Sequence, residues 1–493
     1  MKKSLISLIF RFISIYFSKV KNKENLYKKE LFYFLKAKSG VYNKFLQVLC
    51  ITHKFMEGWS GTKEFTVYNQ AEREYINLQE VVPNYESYNY ITEEPIAVGS
   101  FAQVYRAKNK NNEVLALKIL KPSVYHNLKH DLKNLKRLVR LANIFMPSSF
   151  LDFNEAIDEF NNICITETDY EREIYNLKYF YEIYSNHPYI VIPKVYEDLS
   201  NDFVIAQEFI EGITLSDILS CYEKGEDLSK KAESLTGSNL FTQLAIVGGE
   251  LLRCAMTKEF TYGDPHPGNI ILLNNNRVAY IDFGIVGRKP LSQKAFYDWT
   301  KSYYDFLTKS NNSLNGFKSL IDTTCHCFCP DFINALNFCT DNKMVDMISN
   351  ALTKKLTLVG NNNDDLNKLI NDGHMFKVFT DFMNNKNLFC LSMDMRNFQL
   401  LKAMQAYICT ITTIDKRFKT NNFTEIMIYA MEYAFSYLEK EEVPYDYIQN
   451  SKYSRGDALE LIDNLLSSLA GNDEFLFQNI YKEMQQWKIL KRF

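Results

Sequence analysis

Residues 262–269 read YGDPHPGN, and residues 282–284 read DFG. The first stretch packs an acid, a histidine, two prolines, a glycine and an amide into one loop. Such a run serves a tight turn, a metal site or a phosphate-handling loop, and spacing chooses among them. Asp264 and Asn269 stand five apart, and Asp282 follows thirteen later in a strand–DFG turn. Phosphoryl transfer needs such a set. One aspartate accepts the proton of an attacking hydroxyl, while an asparagine and a second aspartate hold Mg²⁺ against a triphosphate. Oxygen ligands suit a hard cation, so His266 is better placed to meet the γ-phosphate than to bind the metal. The prolines and glycine stiffen the loop and turn Asp264 and Asn269 toward one point. A lone D-F-G is common by chance, and its weight comes from what lies upstream.

Upstream, residues 97–105 read AVGSFAQVY. A Gly-rich hairpin covers phosphates in nucleotide kinases because backbone N–H groups approach oxygen only where Cβ atoms are absent. Of G-x-G-x-x-G only Gly99 survives, within Ala97, Val98, Gly99, Ser100, Phe101, Ala102 and Val104. Thirteen residues after Tyr105, LALK ends a strand at Lys118, where an ammonium can neutralise α- and β-phosphates. Taken singly, one hairpin glycine and one strand-end lysine are ordinary surface features. ITETDYEREIYNL, residues 165–177, places Glu167, Asp169 and Glu173 on one expected helix. Positions six apart nearly align over two turns, so Glu167 and Glu173 share a face there, and a glutamate on it can aim Lys118 at phosphate. The plain alternative is a solvated acidic face.

The chain has 493 residues, enough for several packed layers; 46% are hydrophobic and 24% charged, as in a globular protein. Its net charge of -2 gives no basic field, no RNA- or DNA-binding motif is present, and nucleic acid is not an expected partner. Ten scattered cysteines fit a reducing compartment better than a disulfide framework. Cys325, His326, Cys327 and Cys329 form CHCFC, but a zinc site usually has a second ligand pair further on, and Cys339 is the only nearby thiol. Free thiols are the expectation there. The N-terminus, MKKSLISLIFRFISIYFSKVKNK, is apolar and basic, with no acid before Glu24. It is short for a membrane span and lacks a small-residue cleavage site. An organelle-targeting presequence, an interfacial helix at a membrane surface and an ordinary core helix all fit it.

Residues 24–80 carry helical spacing. From Tyr90 the texture changes to three short antiparallel strands, with NKNN as a hairpin turn. Residues 124–185 are helical again, and 190–212 read as two more strands and a turn, giving a five-strand small lobe. After helical 213–260 come the YGDPHPGN loop, the strands IILL and RVAYIDFG, and a mainly helical remainder. The expected division is 1–30, a targeting or membrane-interface helix; 31–89, a helical extension; 90–212, a small lobe with a helical insertion; and 213–493, a helical large lobe.

These residues resemble one family, the UbiB/ADCK group of atypical kinases, also called aarF-domain kinases, over about residues 30–290. YGDPHPGNIILLNNNRVAYIDFGIVGR is similar to its HADPHPGN…DFGMVGR block. TETDYEREIYN matches E-x-D-[FY]-x-x-E-x-x-N through Glu167, Asp169, Glu173 and Asn176. PIAVGSFAQVYRA sits where the family carries PxAAAS-x-x-QV. VIAQEFIEG matches the hinge, where Glu208 and Ile210 would meet adenine through their backbones. The departures are Gly99 for the loop alanine, Tyr262 for a histidine, and Val41 for the glutamine of the upstream K-x-G-Q motif, aligned at Lys38-Ser39-Gly40-Val41.

The resemblance implies an α+β, two-lobed protein-kinase-like fold, with a small antiparallel-sheet lobe, a mainly helical lobe and an N-terminal helical extension. It implies ATP and Mg²⁺ as cofactors. Asp264 would be base or orienter, Lys118 a phosphate clamp paired with Glu173, and His266 a γ-phosphate contact. Asn269 and Asp282 would be the metal ligands, and Lys38, Glu167 and Asp169 regulatory residues over the active site. No A-P-E segment follows DFG. Family members are often membrane-associated and support quinone or other lipid metabolism, so lipid or quinone-pathway components are implied partners. Location would be membrane-associated or mitochondrial-like in a eukaryote, and cytoplasmic and reducing otherwise. Three functions fit: an ATP-dependent kinase or ATPase, a small-molecule phosphotransferase of the aminoglycoside- or choline-kinase type, and a nucleotide-gated binding module with little catalysis.

Overall fold

A computed structural model describes residues 5–18, 23–36, 41–42, 44–46, 73–145, 153–223, 228–290, 292–308, 319–320, 323, 327, 395–418 and 422–438. The chain divides into two compact units. Unit 1 is residues 1–185 with 192–210, and unit 2 is 186–191 with 211–493.

Unit 1 begins with helices α1 (Leu5–Phe17) and α2 (Lys23–Lys36). Leu8 and Phe12, one turn apart, share a buried core with Tyr27 and Leu31, and Phe12 meets Tyr27 edge-on at 5.1 Å. Each such fully buried aromatic or leucine stabilises by roughly 1.5–3 kcal/mol. A single turn, α3 (Leu78–Val81), leads into the sheet: β1 (Tyr88–Ile91), β2 (Ala97–Val98), β3 (Ala102–Asn109) and β4 (Val114–Leu120). The β3–β4 turn uses Asn112 in the left-handed region, while the Asn109 side chain accepts the Glu113 N–H. Asparagine tolerates that conformation by local hydrogen bonding. Helices α4 (Pro122–Phe145), α5 (Phe153–Thr168) and α6 (Tyr170–Tyr184) follow.

The next two strands part company. β5 (Ile190–Val191) pairs in parallel with Val278–Tyr280 of unit 2. β6 (Val204–Glu208) completes the unit 1 sheet, ordered β1-β3-β4-β6 with β2 on β3 and all pairs antiparallel. Five strands were expected in this lobe and five are present, but their composition differs. The 88–120 stretch supplies four, and 190–212 supplies only β6. A two-residue strand followed by Ile192 and Pro193 carries no pattern that could announce its partner, since proline removes a ladder donor. On one face of this sheet Tyr105, Leu115, Leu117, Ile119, Val204 and Ala206 pack with Ile76 and Val82.

Unit 2 contains β7 (Ile213–Thr214), α7 (Leu215–Glu223), α8 (Leu228–Thr236) and α9 (Leu240–Thr257). Next come β8 (Phe260–Tyr262), β9 (Ile270–Leu272), β10 (Val278–Tyr280), β11 (Val286–Arg288) and α10 (Gln293–Thr308), then α11 (Met395–Phe418) and α12 (Phe423–Leu438). Its sheet runs β5-β10-β9-β7, and β8 pairs with β11 as a separate ribbon. α9 is the central helix, buried from Gln243 to Met256. Gly248 and Gly249 admit its neighbours: a Cβ on Gly248 would lie 2.2 Å from the Tyr407 hydroxyl, and one on Gly249 2.8 Å from the Ala430 carbonyl. The late helices α11 and α12, which carry no readable motif, thus pack against α9.

Candidate active site

In unit 1 the β3–β4 register sets Val104 opposite Lys118 and Arg106 opposite Ala116. Lys118 Nζ lies 2.6 Å from Glu173 Oε1, and its side chain is 16% exposed against 4% for that of Glu173. Glu173 occupies the first turn of α6, where the helix dipole favours a carboxylate. The Tyr170 ring lies 5.7 Å from the ammonium. The ion pair expected between strand lysine and helix glutamate is thus present.

The helix carrying it is not the one expected. Glu167 ends α5, whereas Asp169 breaks the chain as N-cap of α6 by accepting the Arg172 N–H at 3.0 Å. Glu167 and Glu173 therefore stand on different helices and do not share a face. Asp169 followed by Glu171 and Glu173 is a helix-start signal that outranks the six-residue spacing. Glu167 pairs instead with Lys44, at 2.6 Å. Lys38 lies outside the described residues, and Val41 is buried in the unit 1 core. Lys44 was the residue missed. Lys44-Phe45-Leu46-Gln47 keeps the lysine and glutamine of K-x-G-Q, with Leu46 in place of the glycine, and that retained glutamine was the available signal.

The glycine-bearing hairpin runs through Ala97, Val98, Gly99, Ser100 and Phe101 into Ala102. Gly99 donates to the Ala102 carbonyl at 2.8 Å, and its own carbonyl accepts Lys121 Nζ at 2.8 Å. A Cβ on Gly99 would meet that Ala102 oxygen at 3.4 Å, an ordinary contact, so the turn does not demand glycine. Phe101 is buried in the core, and its carbonyl accepts the Lys121 N–H at 2.8 Å. At the end of β6, Phe209 donates to the Val114 carbonyl and Glu208 to the Lys194 carbonyl. Antiparallel alternation leaves the Glu208 carbonyl outside the β4 ladder. The Arg106 guanidinium lies 4.5 Å from the Phe209 ring centre.

In unit 2 the loop 262–269 is locally self-organised. Asn269 Nδ2 donates to Asp264 Oδ2 at 2.9 Å, which orients the amide so that its Oδ1 is the atom able to meet a cation. His266 Nδ1 accepts the Gly268 N–H at 3.2 Å, and the His266 carbonyl accepts the Asn269 N–H. Asp282 Oδ1 accepts the Gly284 N–H at 3.0 Å, and the Ile281 N–H bonds to the Asn269 carbonyl, tying the two short motifs together. Gly263 is required by close approach: a Cβ there would lie 2.7 Å from the Ile285 carbonyl and 2.8 Å from Val286 Cα. Tyr262 is buried, stacked on Tyr280 at 4.2 Å and edge-on to Phe283 at 5.5 Å, so an aromatic core seats the loop. Asp264, Asn269 and Asp282 supply hard oxygen donors from half-buried positions, a set that fits Mg²⁺.

Beside the loop strand, α9 carries Glu250, which is 1% exposed. Arg253 donates to it at 2.8 Å and Tyr433 at 2.8 Å, and His187 Nε2 lies 3.1 Å away. His187 Nδ1 accepts the Ile190 N–H, so the proton of a neutral ring sits on the Nε2 facing Glu250. Burial pushes the Glu250 carboxyl up, but His187 and Arg253 together outweigh it and hold the group at about 2. Of CHCFC only Cys327 is described; it is buried, which pushes its thiol up, and no group of three or more His, Cys, Asp or Glu side chains placed to hold a metal occurs among the described residues.

Residues 67–315, half of the chain, match the family model of the ABC1 atypical kinase-like domain. An uncharacterised protein of the hydrogenase 1 5′ region of Clostridium pasteurianum is 32% identical over 42% of this chain and 36% of its own length. The chloroplastic protein ACTIVITY OF BC1 COMPLEX KINASE 1 of Arabidopsis thaliana is 31% identical over 40% of this chain and 28% of its own. A chloroplastic aarF domain-containing protein kinase of the same plant is 29% identical over 42% and 27%. The matched stretch thus spans about a third of the length of these curated relatives. A solved erythromycin complex from Mycobacterium tuberculosis aligns over 90% of this chain and 92% of that one, at 15% identity and a TM-score of 0.43. With its antiparallel small-lobe sheet, helical second unit and matched kinase-like domain, the chain has the two-lobed α+β kinase-like fold and belongs to the ABC1, or UbiB/ADCK, family of atypical kinases.

Proposed function

We propose that the chain is an ATP- and Mg²⁺-dependent atypical kinase or ATPase. The observation that carries this reading is the Lys118–Glu173 pair at 2.6 Å, which sets a partly exposed lysine side chain on the sheet strand where a phosphate clamp belongs. Lys118 would draw α- and β-phosphate oxygens. The 97–104 hairpin would present backbone N–H groups to the phosphates, and the Glu208 carbonyl and Ile210 N–H would take the adenine edge. Asn269 and Asp282 would hold Mg²⁺, whose charge offsets that of the triphosphate. Asp264, oriented by Asn269, would accept or direct the proton of the attacking hydroxyl, with His266 beside the γ-phosphate.

The acceptor is proposed to be lipid-borne or to act at a lipid surface. Relatives named as chloroplastic support this, as does the outward side of α1, where Phe10 is 68% and Phe17 79% exposed; the sequence that follows is basic, with Lys19, Lys21 and Lys23. No helix among the described residues is long and apolar enough to cross a membrane. The test is Mg²⁺-dependent ATP turnover by the purified chain, with and without anionic liposomes, beside Asp282→Asn. Turnover that rises with lipid and disappears in the variant is the expected result. Turnover unchanged in Asp282→Asn refutes the metal assignment, and ATP binding without turnover shifts the function to a nucleotide-gated binding module.

A further inference from the structure

The Gly99 hairpin is gripped from outside its own sheet. The chain at residues 73–76 runs beside it as a strap, anchored by Ile76 in the sheet core. The Glu74 N–H bonds to Gln103 Oε1 at 2.5 Å, and Gln103 Nε2 bonds to the Glu74 carbonyl at 3.0 Å. One residue's backbone thus closes both ends of a side-chain amide that is itself fully buried and also reaches the Tyr105 hydroxyl. The Glu74 carboxylate crosses to the start of α4, where Ser123 donates its N–H at 2.9 Å and also its hydroxyl. A carboxylate there satisfies an otherwise orphaned helix donor and meets the positive end of the dipole. Arg73 ion-pairs with Glu94 on the entry side of the hairpin. From the α4 junction Lys121, 5% exposed, holds the Gly99 carbonyl, and its N–H holds that of Phe101. The hairpin is therefore fixed at its entry, its tip and its exit.

We propose that Glu74 is a positioning residue for nucleotide binding: its carboxylate, held at Ser123, fixes the strap whose backbone grips Gln103, and so keeps the 97–104 hairpin in one conformation, so that affinity for the triphosphate depends on a strap that precedes the sheet. This rests on the nucleotide reading above. Glycine-rich loops of kinases close over their ligand, and a loop held beforehand loses less conformational freedom on binding. The strap supplies that preorganisation. A merely structural Glu74 would lower overall stability without a local signature at the hairpin.

The test uses the full chain, Glu74→Ala, and Glu74→Gln, which keeps an oxygen for the Ser123 N–H. Two readouts are hydrogen exchange of amides 97–104 and the affinity for Mg–ATP, measured by displacement of a fluorescent ATP analogue. In Glu74→Ala, hairpin exchange is expected to quicken and ATP affinity to fall, each by about tenfold, the scale of one lost hydrogen bond to a charged group. Exchange in β4 and the unfolding midpoint should hold, and Glu74→Gln should recover most of both effects. Unchanged hairpin exchange overturns the strap, and so does faster exchange spread evenly through unit 1. If the wild-type chain binds no ATP, the nucleotide reading fails, and the exchange result alone decides whether the strap holds the hairpin.

Discussion

In unit 1 Lys118 meets Glu173 at 2.6 Å; in unit 2 Arg253 meets Glu250 at 2.8 Å. Both glutamates are nearly inaccessible, yet the cations differ. The Arg253 side chain is 4% exposed, and its glutamate is also met by His187 and Tyr433, from segments far apart in the chain. The Lys118 side chain keeps 16% exposure on a strand, with Val104 across the ladder. A planar guanidinium sealed in a buried network with Glu250, His187 and Tyr433 fixes a helix. A flexible lysine held by a carboxylate, with its side chain still partly exposed, is not sealed in the same way. The same charge chemistry therefore builds scaffold in one unit and a candidate binding group in the other.

The comparison can be broken most sharply at Glu250. Its removal in Glu250→Ala leaves Arg253 buried without its carboxylate and is expected to cost about 3–5 kcal/mol, read by denaturant unfolding. The pH dependence has a definite sign. The carboxyl of Glu250 is depressed from 4.5 to about 2, so its contribution is complete above about pH 4.5 and is lost as pH falls through 2. Acid unfolding of the wild type should steepen in that window, and Glu250→Gln should lack this component. A variant as stable as the wild type would show that the network is not scaffold.

Lys118→Ala is expected to show its larger effect in activity. Mg–ATP turnover should fall by about a hundredfold, the scale of one lost charge-stabilising group, while stability falls by about 1–3 kcal/mol because Glu173 stays buried without its cation. A large loss of stability with turnover intact would reverse the roles of the two pairs. Two glycines sharpen the contrast at smaller scale. Gly263→Ala drives a Cβ into the β11 backbone and should cost about 1–3 kcal/mol in unfolding experiments. Gly99→Ala meets only an ordinary contact and should change stability by less than about 1 kcal/mol, so any change in nucleotide affinity there would be a property of the loop itself.

Much of the candidate site was legible because its geometry is local. Asp264, Asn269 and Asp282 are arranged by turns whose hydrogen bonds span two to five residues, apart from the single Ile281–Asn269 link. Lys118 could be placed because alternation along a strand sets its face. Glu167 misled because apolar spacing runs through Asp169, while the chain itself stops there to cap a new helix. Glu74 and Gln103 left no trace, being a glutamate and a glutamine twenty-nine positions apart with no periodic relation.

By itself the sequence determined the fold class, the family resemblance and the short phosphotransfer-type motifs, since these depend on turn chemistry, strand alternation and residue order. Tertiary structure alone decided that Glu167 answers to Lys44 and that Ile190 and Val191 join the second sheet. It also decided that Glu250 gathers His187, Arg253 and Tyr433, and that the strap holds the hairpin. The physical reason is distance along the chain. A turn is selected by the residues within it, whereas a partner a hundred residues away is selected by the packing that brings it near.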